Sequence, residues 1–328
     1  MKLIYSALSL FLVTLMALCL GDSWLNPGQA VTGLFGTSDA YTNLVVQTIR
    51  LPRILLAIAA GAAFGMTGCL LQTLTRNPLA SPDVIGLSQM ANVGALMFLV
   101  LFTSTGGALL FPIHYQPVSA ICCALLAGFV LYLFSFYKRV SIHRFILIGI
   151  GINALAQSMV TLLILLTNKR AAQAHVFITG SVQNAEYYQV LVLGVILVVL
   201  TGFILYYHRY YDIYKLGRAT SIGLGAKYQK IAVLTFVIIS ILIGFTVSFV
   251  GGIQFVGLIA PQLAIILAGS KFYQHVLMSS VVGSIIVVLS DLLGRTLFLP
   301  LEVPAGVFTA AIGAPFFMYL LFKKRQTV

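Results

Sequence analysis

The chain has 328 residues, of which 60% are hydrophobic and 8% are charged, and its mean hydropathy is +1.04. A soluble domain carries about a quarter of its residues as Asp, Glu, Lys and Arg, so 7 acidic and 19 basic side chains are too few to cover a water-soluble protein of this size. The net charge of +12 does not indicate a nucleic-acid partner, because the bases lie scattered between apolar runs rather than in a stripe. The composition therefore excludes soluble classes and indicates an integral membrane protein.

Long continuous apolar runs predict an all-α protein with about ten transmembrane helices, since a spanning helix needs about 20 apolar residues. A membrane β-barrel would instead show segments of about ten residues that alternate between apolar and polar. The first run lacks a small-residue cleavage site, so we expect a retained helix rather than a signal peptide. We expect residues 1–328 to form a single transmembrane domain. The runs cover residues 3–20, 52–73, 84–104, 117–137, 145–167, 188–208, 230–250, 254–268, 275–294 and 304–322.

The basic residues of the loops predict the orientation, because cytoplasmic loops of membrane proteins are enriched in Lys and Arg. Ten helices with a cytoplasmic N-terminus leave most of the 19 bases on the cytoplasmic side. Both termini are therefore predicted to be cytoplasmic, with membrane lipid around the helices. The bases left on the outer side are Arg50, Arg53, Lys169, Arg170 and Arg295.

Several motifs of catalysis and energy coupling are missing from the sequence. It has no G-x-x-x-x-G-K-[ST] phosphate loop, no H-E-x-x-H and no C-x-x-C, so we expect no catalytic site, no metal and no cofactor bound by this chain. The runs also lack charged residues near their centres, which argues against an ion-gradient-driven carrier. Asp291 and Arg295 lie four residues apart near the end of one run, and an ion pair at a helix end is the simplest interpretation.

The first motif extends from the second run to the third. It comprises R-L-P-R at 50–53, glycines at 61, 65 and 68, Gln72, and R-N-P-L-A-S-P-D at 76–83. Small residues three or four positions apart let helix backbones approach closely in lipid, so the glycines favour packing. Ser81, Pro82 and Asp83 favour a helix start, with an N-cap, a proline in the first turn and an acid near the positive helix end.

A second motif lies in the polar stretch at 209–229, which the charge count places on the cytoplasmic side. Residues 216–225 read L-G-R-A-T-S-I-G-L-G. The glycines bound a segment of small residues, which predicts a short helix that docks in a groove on another protein. The alternative is a plain amphipathic connector.

The third motif reads G-G-I-Q-F-V-G-L-I-A-P-Q at 251–262 and opens a run of about 15 residues. That run, 254–268, is short and interrupted by Gly and Pro. It predicts a discontinuous helix of the kind that lies beside transport pathways, where protein or water satisfies the freed backbone groups.

Together these motifs resemble the FecCD-type permeases of bacterial ABC importers for iron–siderophores, haem and cobalamin. The resemblance covers nearly the whole chain and also includes L-E-V-P-A-G-V at 301–307 and G-A-P-F-F at 313–317. It implies ten helices per subunit in the bacterial inner membrane and a second permease subunit around a central pathway. It also implies two cytoplasmic ATPases that use ATP and Mg, and an external binding protein that delivers the ligand. The chain itself would not be an enzyme.

The resemblance implies three sets of functional residues. The segment that seats against the ATPase comprises Leu216, Gly217, Arg218, Ala219, Ser221, Gly223, Leu224 and Gly225. The outward arginines that receive acidic residues of the binding protein are Arg50, Arg53 and Arg295. The residues that shape the pathway and its cytoplasmic end are Gly65, Gly68, Gln72, Asn77, Pro78, Phe255, Gly257, Pro261 and Gln262.

One departure from the family pattern bears on the substrate. Many members read P-H-x-x-R where this chain has Pro261, Gln262 and Ile265. A P-Q variant resembles permeases for ferric siderophores that work beside a non-identical partner. We therefore predict a ferric siderophore as substrate and a heterodimer rather than a homodimer. The alternatives are a cobalamin or haem permease and, from another class, an ion-gradient-driven transporter.

Overall fold

The computed structural model of the chain describes residues 2–104, 108–135, 142–166 and 170–325. Lys138, Arg139 and Lys169, which the orientation argument counts, lie outside these ranges. The last residues of the predicted runs 117–137 and 145–167 also lie outside them.

The described ranges are built from α-helices. In chain order they are α1 (Lys2–Cys19), α2 (Pro27–Leu34), α3 (Ala40–Asn43), α4 (Leu51–Thr75), α5 (Leu87–Leu101), α6 (Gln116–Ser135), α7 (Ile142–Leu166), α8 (Ala171–Thr179), α9 (Tyr187–Tyr206), α10 (His208–Lys215), α11 (Arg218–Gly223), α12 (Tyr228–Val250), α13 (Val256–Ala268), α14 (Phe272–Thr296) and α15 (Ala305–Arg325). A π-helical segment, Leu44–Arg50, leads directly into α4, and a single 3₁₀ turn, Ile113–Tyr115, precedes α6.

The predicted apolar runs all fall on helices. Within the described ranges, seven helical segments are long and apolar enough to cross a membrane, and α5, α13 and α15 are shorter apolar helices. This confirms the all-α membrane class, whereas the number of helices that cross the bilayer stays a prediction. Three starts differ from the predicted ones by three residues: α5 begins at Leu87 instead of 84, α7 at Ile142 instead of 145, and α14 at Phe272 instead of 275.

Helix α4 lies at the centre of the bundle. Nearly all of its 25 residues are buried, and it packs against α9, α12, α13 and α14. The closest approaches occur at its glycines. A Cβ at Gly61 would overlap the backbone of Gly283, and one at Gly65 would overlap the carbonyl of Ser279. Backbone-to-backbone packing therefore holds α4 against α14, as the glycine spacing predicts.

The loops that the charge count places outside lie together at one end of the bundle. Ser181 N–H donates to the Val250 carbonyl at 2.8 Å, and Gly306 N–H donates to the Gly180 carbonyl at 3.0 Å. These bonds join the end of α8 to the end of α12 and the start of α15. The loops that the orientation argument assigns to the outer face are therefore joined to one another.

The segments that are predicted to be cytoplasmic lie together at the other end of the bundle. The Tyr214 hydroxyl donates to the Leu74 carbonyl at 3.2 Å, and Lys215 Nζ donates to the Ser270 carbonyl at 2.9 Å. Helix α10 is thereby attached to the end of α4 and to the turn between α13 and α14.

Candidate functional site

Two helices begin inside the protein rather than at its ends. Between α4 and α5, residues 76–86 form turns, and α5 begins only after Gly86, which has φ +80°. A Cβ at Gly86 would lie 2.7 Å from the backbone nitrogen of Asn153, so both the left-handed backbone and the close approach to α7 require glycine there. Helix α13 begins after the non-helical residues 251–255. The predicted discontinuity near 254–268 is therefore present, with helix from Val256.

The two starts meet at the carboxylate of Asp83. Its oxygens accept hydrogen bonds from the Phe255 N–H at 3.2 Å, the Ser81 hydroxyl at 2.9 Å and the Ser88 hydroxyl at 3.4 Å. Phe255 is the N-cap residue of α13, and Ser88 lies in the first turn of α5. A helix N-terminus carries a partial positive charge, so one acid serves both helix starts.

The helix start predicted at Ser81 is wrong. Ser81 and Asp83 form a local turn in which the Asp83 N–H donates to the Ser81 hydroxyl at 3.3 Å, and α5 starts four residues after Asp83. Asp83 does accept from a helix N-terminus, but its backbone partner is the N-cap residue of the distant α13. Sequence spacing alone reports only local caps, which is why this pairing was missed.

Removing the Asp83 carboxylate should destabilise the protein. In Asp83→Ala the buried N–H of Phe255 and the hydroxyls of Ser81 and Ser88 lose their shared acceptor. A buried donor left without a partner costs about 1–3 kcal/mol. We expect a lower unfolding temperature in detergent and slower transport. The control is Asp39→Ala, which removes the exposed N-cap of α3. Equal stability of the two variants would contradict this role for Asp83.

An amide cluster lies beside Asp83, at the end of α4. Gln262 Nε2 donates to Gln72 Oε1 at 2.7 Å and to the Pro78 carbonyl at 2.9 Å. Gln72 Nε2 in turn donates to the Leu258 carbonyl at 3.4 Å. Three of the predicted pathway residues are therefore bonded to one another across α4, the 76–86 segment and α13. Asn77 instead accepts from the Leu79 N–H at 3.0 Å and shapes its own turn.

The other predicted pathway residues have packing contacts. A Cβ at Gly68 would overlap the carbonyl of Gly257, and one at Gly257 would lie 2.8 Å from Pro82 Cδ. The Pro261 carbonyl accepts from His275 Nε2 at 2.9 Å. For Gly65 and Gly68 the structure shows helix packing, and their contribution to a pathway stays a prediction.

Two buried residues that sequence reasoning missed lock α13 and α14 onto α4. His275 Nδ1 lies 3.3 Å from Cys69 Sγ, while its Nε2 reaches Pro261. These two residues are 206 positions apart, so no sequence motif links them. Within the described ranges no three His, Cys, Asp or Glu side chains lie close enough to hold a metal ion.

The glycine-bounded cytoplasmic segment contains a short helix, α11. Gly217 precedes it with φ +103°, and Gly225 follows it with φ +78°. The Ser221 hydroxyl fixes it to α10 by donating to the carbonyls of Ile213 at 2.8 Å and Gly217 at 2.6 Å. Three apolar side chains around this helix are more than half exposed: Leu216, Ile222 and Leu224. These exposed apolar groups fit the predicted docking role of the segment, which stays a prediction.

Helix α10 is the rigid support of α11. The Phe272 N–H donates to Asp212 Oδ1 at 3.0 Å, and the rings of Tyr211 and Phe272 stack at 4.3 Å. Lys215 lies 5.3 Å from the same Phe272 ring, and burial lowers the pKa of its ammonium group. Helix α10 therefore contacts both α11 and the start of α14.

The outer arginine Arg53 lies in a buried ion-pair cluster. Its Nε is 3.0 Å from both oxygens of Asp291, and its Nη1 is 2.9 Å from Glu302 Oε2. Arg295 Nε lies 3.9 Å from Asp291, which confirms the predicted pairing across four residues. Asp291 nevertheless makes its hydrogen bonds with Arg53 rather than with Arg295.

The guanidinium groups of Arg50 and Arg295 hold the C-terminus of α1. Arg50 Nη1 donates to the Leu18 carbonyl at 2.6 Å and to the Cys19 carbonyl at 3.2 Å, and Arg295 Nη2 donates to the Ala17 carbonyl. The last carbonyls of a helix have no partner within the helix and carry partial negative charge. Two arginines from other segments therefore cap α1.

All three arginines predicted to receive the binding protein are buried. Arg50, Arg53 and Arg295 are 3%, 6% and 4% exposed. Their partners in this structure are carboxylates and carbonyls of the same chain. Burial follows from their positions where α1, α4 and α14 meet. Docking through these side chains stays a prediction.

Residues 9–323 match the model of the FecCD transport family. The probable siderophore transport system permease protein YfhA of Bacillus subtilis is 37% identical over 316 residues, which are 96% of this chain and 92% of that protein. The achromobactin transport system permease protein CbrC of Dickeya dadantii is 35% identical over 98% of this chain and 91% of that protein. The iron(3+)-hydroxamate import system permease protein FhuG of Bacillus subtilis is 33% identical over 96% of this chain and 95% of that protein.

A solved structure shares the arrangement of helices. It is described as an inward-facing conformation of a metal-chelate type ABC transporter and superposes with a TM-score of 0.84. The alignment covers 98% of both chains at 25% sequence identity. The whole of the present chain therefore has the architecture of such a transporter's membrane subunit.

Proposed function

The chain belongs to the FecCD transport family, and on that basis we propose that it is the permease subunit of an ATP-binding-cassette importer for a ferric siderophore. The substrate class is supported by the names of its relatives, which are permeases of siderophore, achromobactin and iron(3+)-hydroxamate transport. The source of energy would be two ATPase subunits, and an external binding protein would deliver the iron chelate.

The interrupted helices support a transport role. Helix α13 and the 76–86 segment place non-helical backbone inside the bundle, held by Asp83 and by the amides of Gln72 and Gln262. Such backbone is tolerated at membrane depth only where it is buried in protein or lines a cavity. We propose that this junction shapes the cytoplasmic end of the pathway during alternating access.

Transport by reconstituted protein tests the function. The complete importer in proteoliposomes, with its binding protein outside, would be offered a ferric hydroxamate, a ferric catecholate, ferric citrate, haem or cobalamin. We expect ATP-dependent uptake of a ferric siderophore, and none without the ATPase. Uptake of haem or cobalamin alone would overturn the substrate, and uptake driven by an ion gradient would overturn the class.

We propose a non-identical permease subunit as the partner, on the basis of Gln262 and Ile265 where many family members have His and Arg. Co-expression of two differently tagged copies of this chain tests the stoichiometry. A heterodimer predicts that one tag does not recover the other from detergent extracts. Recovery of both tags in one complex would show a homodimer.

Enlarging a small residue on α11 should uncouple the ATPase. Ala219 is exposed on this helix, so Ala219→Trp adds bulk without the backbone strain that the positive φ of Gly217 would impose. Overpacking typically costs about 1–3 kcal/mol, which is roughly 5-fold to 150-fold in affinity. We expect ligand-stimulated ATP hydrolysis and uptake to fall accordingly.

The matched control for Ala219→Trp is Gly202→Trp. Gly202 is exposed on α9, and nothing lies within 4 Å of a Cβ placed there. Both variants should insert and purify in normal amounts. Normal stimulation of ATP hydrolysis by the Ala219→Trp complex would refute the coupling role of α11.

Docking of the binding protein at the outer end belongs to the same proposal. Arg53 is 6% exposed, whereas the side chain of its partner Glu302 is 25% exposed. A docking carboxylate would therefore replace Glu302 as the partner of Arg53. A Glu302→Gln permease should then bind the binding protein more tightly, and weaker binding would contradict this arrangement.

A further inference from the structure

A large groove runs between the coupling helix α11, the start of α12 and the end of α6. Its volume is about 810 Å³. One part of its wall is basic and includes Arg218, Lys227 and Lys230. The other part is apolar and includes Tyr132, Ile222, Val233, Leu234 and Val237.

The basic wall has no counter-charge in the described part of the chain. Arg218, Lys227 and Lys230 are exposed, and none of their side chains makes a hydrogen bond or ion pair with another described residue. None of the seven acids of the chain lines the groove. The nearest in sequence, Asp212, accepts from the Phe272 N–H on the α14 side of α10. An anion that pairs with these bases would come from outside the described part of the chain.

Along the axis of α12 the wall of the groove changes from basic to apolar. Lys227 and Lys230 lie at the start of this helix, where unpaired N–H groups add positive potential. Val233 and Val237 follow on the same wall, and a rise of 1.5 Å per residue places Val237 about 10 Å beyond Lys230. Val237 is 45% exposed although it lies inside a membrane span. This order of charge and apolar surface matches a phospholipid.

We propose that the groove binds one anionic phospholipid of the leaflet that is predicted to be cytoplasmic. Its phosphate lies between Arg218, Lys227 and Lys230, and an acyl chain follows Val233, Leu234 and Val237. An acidic segment of a soluble partner would pair with the bases but would make no use of the adjoining apolar wall. A lipid satisfies both walls.

The bound lipid bridges the coupling helix and a membrane span. Arg218 belongs to α11, whereas Lys227 and Lys230 flank the start of α12. A phosphate shared by the three therefore fixes the position of α11 relative to α12. Coupling in this permease should consequently depend on anionic lipid, although lipid binding itself can be measured without ATP or substrate.

The test is retention of phosphatidylglycerol by the permease complex, purified from mixed phosphatidylglycerol–phosphatidylcholine nanodiscs and weighed by native mass spectrometry. Each base near an anionic surface contributes about a fivefold factor in affinity, so Arg218→Gln with Lys227→Gln and Lys230→Gln should lower retention about a hundredfold. The matched control neutralises three other exposed bases of the same side, with Lys2→Gln, Arg209→Gln and Lys271→Gln. It should retain the lipid.

Two further measurements distinguish a bound lipid from a bound anion or a bound protein. Glycerol phosphate, which is the headgroup without acyl chains, should not displace phosphatidylglycerol from the native complex. Displacement by it, or by inorganic phosphate, would show an anion site only and would overturn the proposal. The proposal would also fail if the groove variant kept its lipid but lost affinity for the ATPase, because the bases would then belong to that interface.

Discussion

Replacing Gly65 with valine should prevent the permease from accumulating as a folded protein. Helix α4 crosses α14 at this residue, and a Cβ there would overlap the carbonyl oxygen of Ser279. The clash is with backbone, so no side-chain rotation relieves it, and the two helices must separate. Overpacking typically costs about 1–3 kcal/mol and more where backbone has to move. We expect a loss of stability at or above the upper end of this range, since separation would also disturb the neighbouring contacts of Gly61 and Gly68.

The measurement is the yield of monodisperse protein after extraction, followed by thermal unfolding in detergent. Gly194→Val is the matched control, because Gly194 lies on α9 and no atom lies within 4 Å of a Cβ at that position. Both substitutions change helix propensity alike, so a difference between them reports packing. Equal yield and stability would show that α4 and α14 are not in contact as described.

Replacing Asp291 with leucine should have the second largest effect. Asp291 is 3% exposed and is the buried partner of Arg53, with Arg295 at 3.9 Å. Its loss leaves two buried guanidinium groups beside each other with Glu302 as the remaining acid. Removing one partner of a buried ion pair costs about 3–5 kcal/mol. We expect strong destabilisation of the outer ends of α4 and α14.

The control for Asp291→Leu is Glu302→Gln. This change removes the partly exposed acid of the cluster and keeps the acceptor oxygen, so the expected loss of stability is about 1 kcal/mol or less. Thermal unfolding and protease accessibility of the outer loops would rank the variants. A Glu302→Gln variant that is as unstable as Asp291→Leu would show that the exposed pair, not the buried one, holds the outer end together.

The apolar helices and the points where they pack closely could be predicted from the sequence. Each apolar run is a helix because a continuous stretch of about 20 apolar residues has few other structures available in lipid. The spacing of Gly61, Gly65 and Gly68 predicted close packing, and the crossings with α13 and α14 occur there. Asp291 and Arg295 were predicted as neighbours because four residues make slightly more than one helical turn.

Pairings between distant segments could not be predicted in this way. Arg53 and Asp291 are 238 residues apart, and Asp83 and Phe255 are 172 residues apart. No local period links such positions, so Arg53 was interpreted as an outward-facing base and Asp83 as a local cap. Helices α2, α3, α8 and α10 were missed for a related reason, since 8, 4, 9 and 8 residues are too few to show a periodic pattern.

The backbone contacts of α4 limit how the importer can move. Two helices slide past each other in a shear motion when the side chains between them change rotamer. At Gly61, Gly65 and Gly68 there is no such layer, because the main chains touch. Helices α4, α13 and α14 therefore have to travel as one solid piece through the transport cycle. A change that opens one side of the protein and closes the other must therefore occur at the interfaces around these three helices. Side chains fill those interfaces, so a relative displacement there costs little free energy.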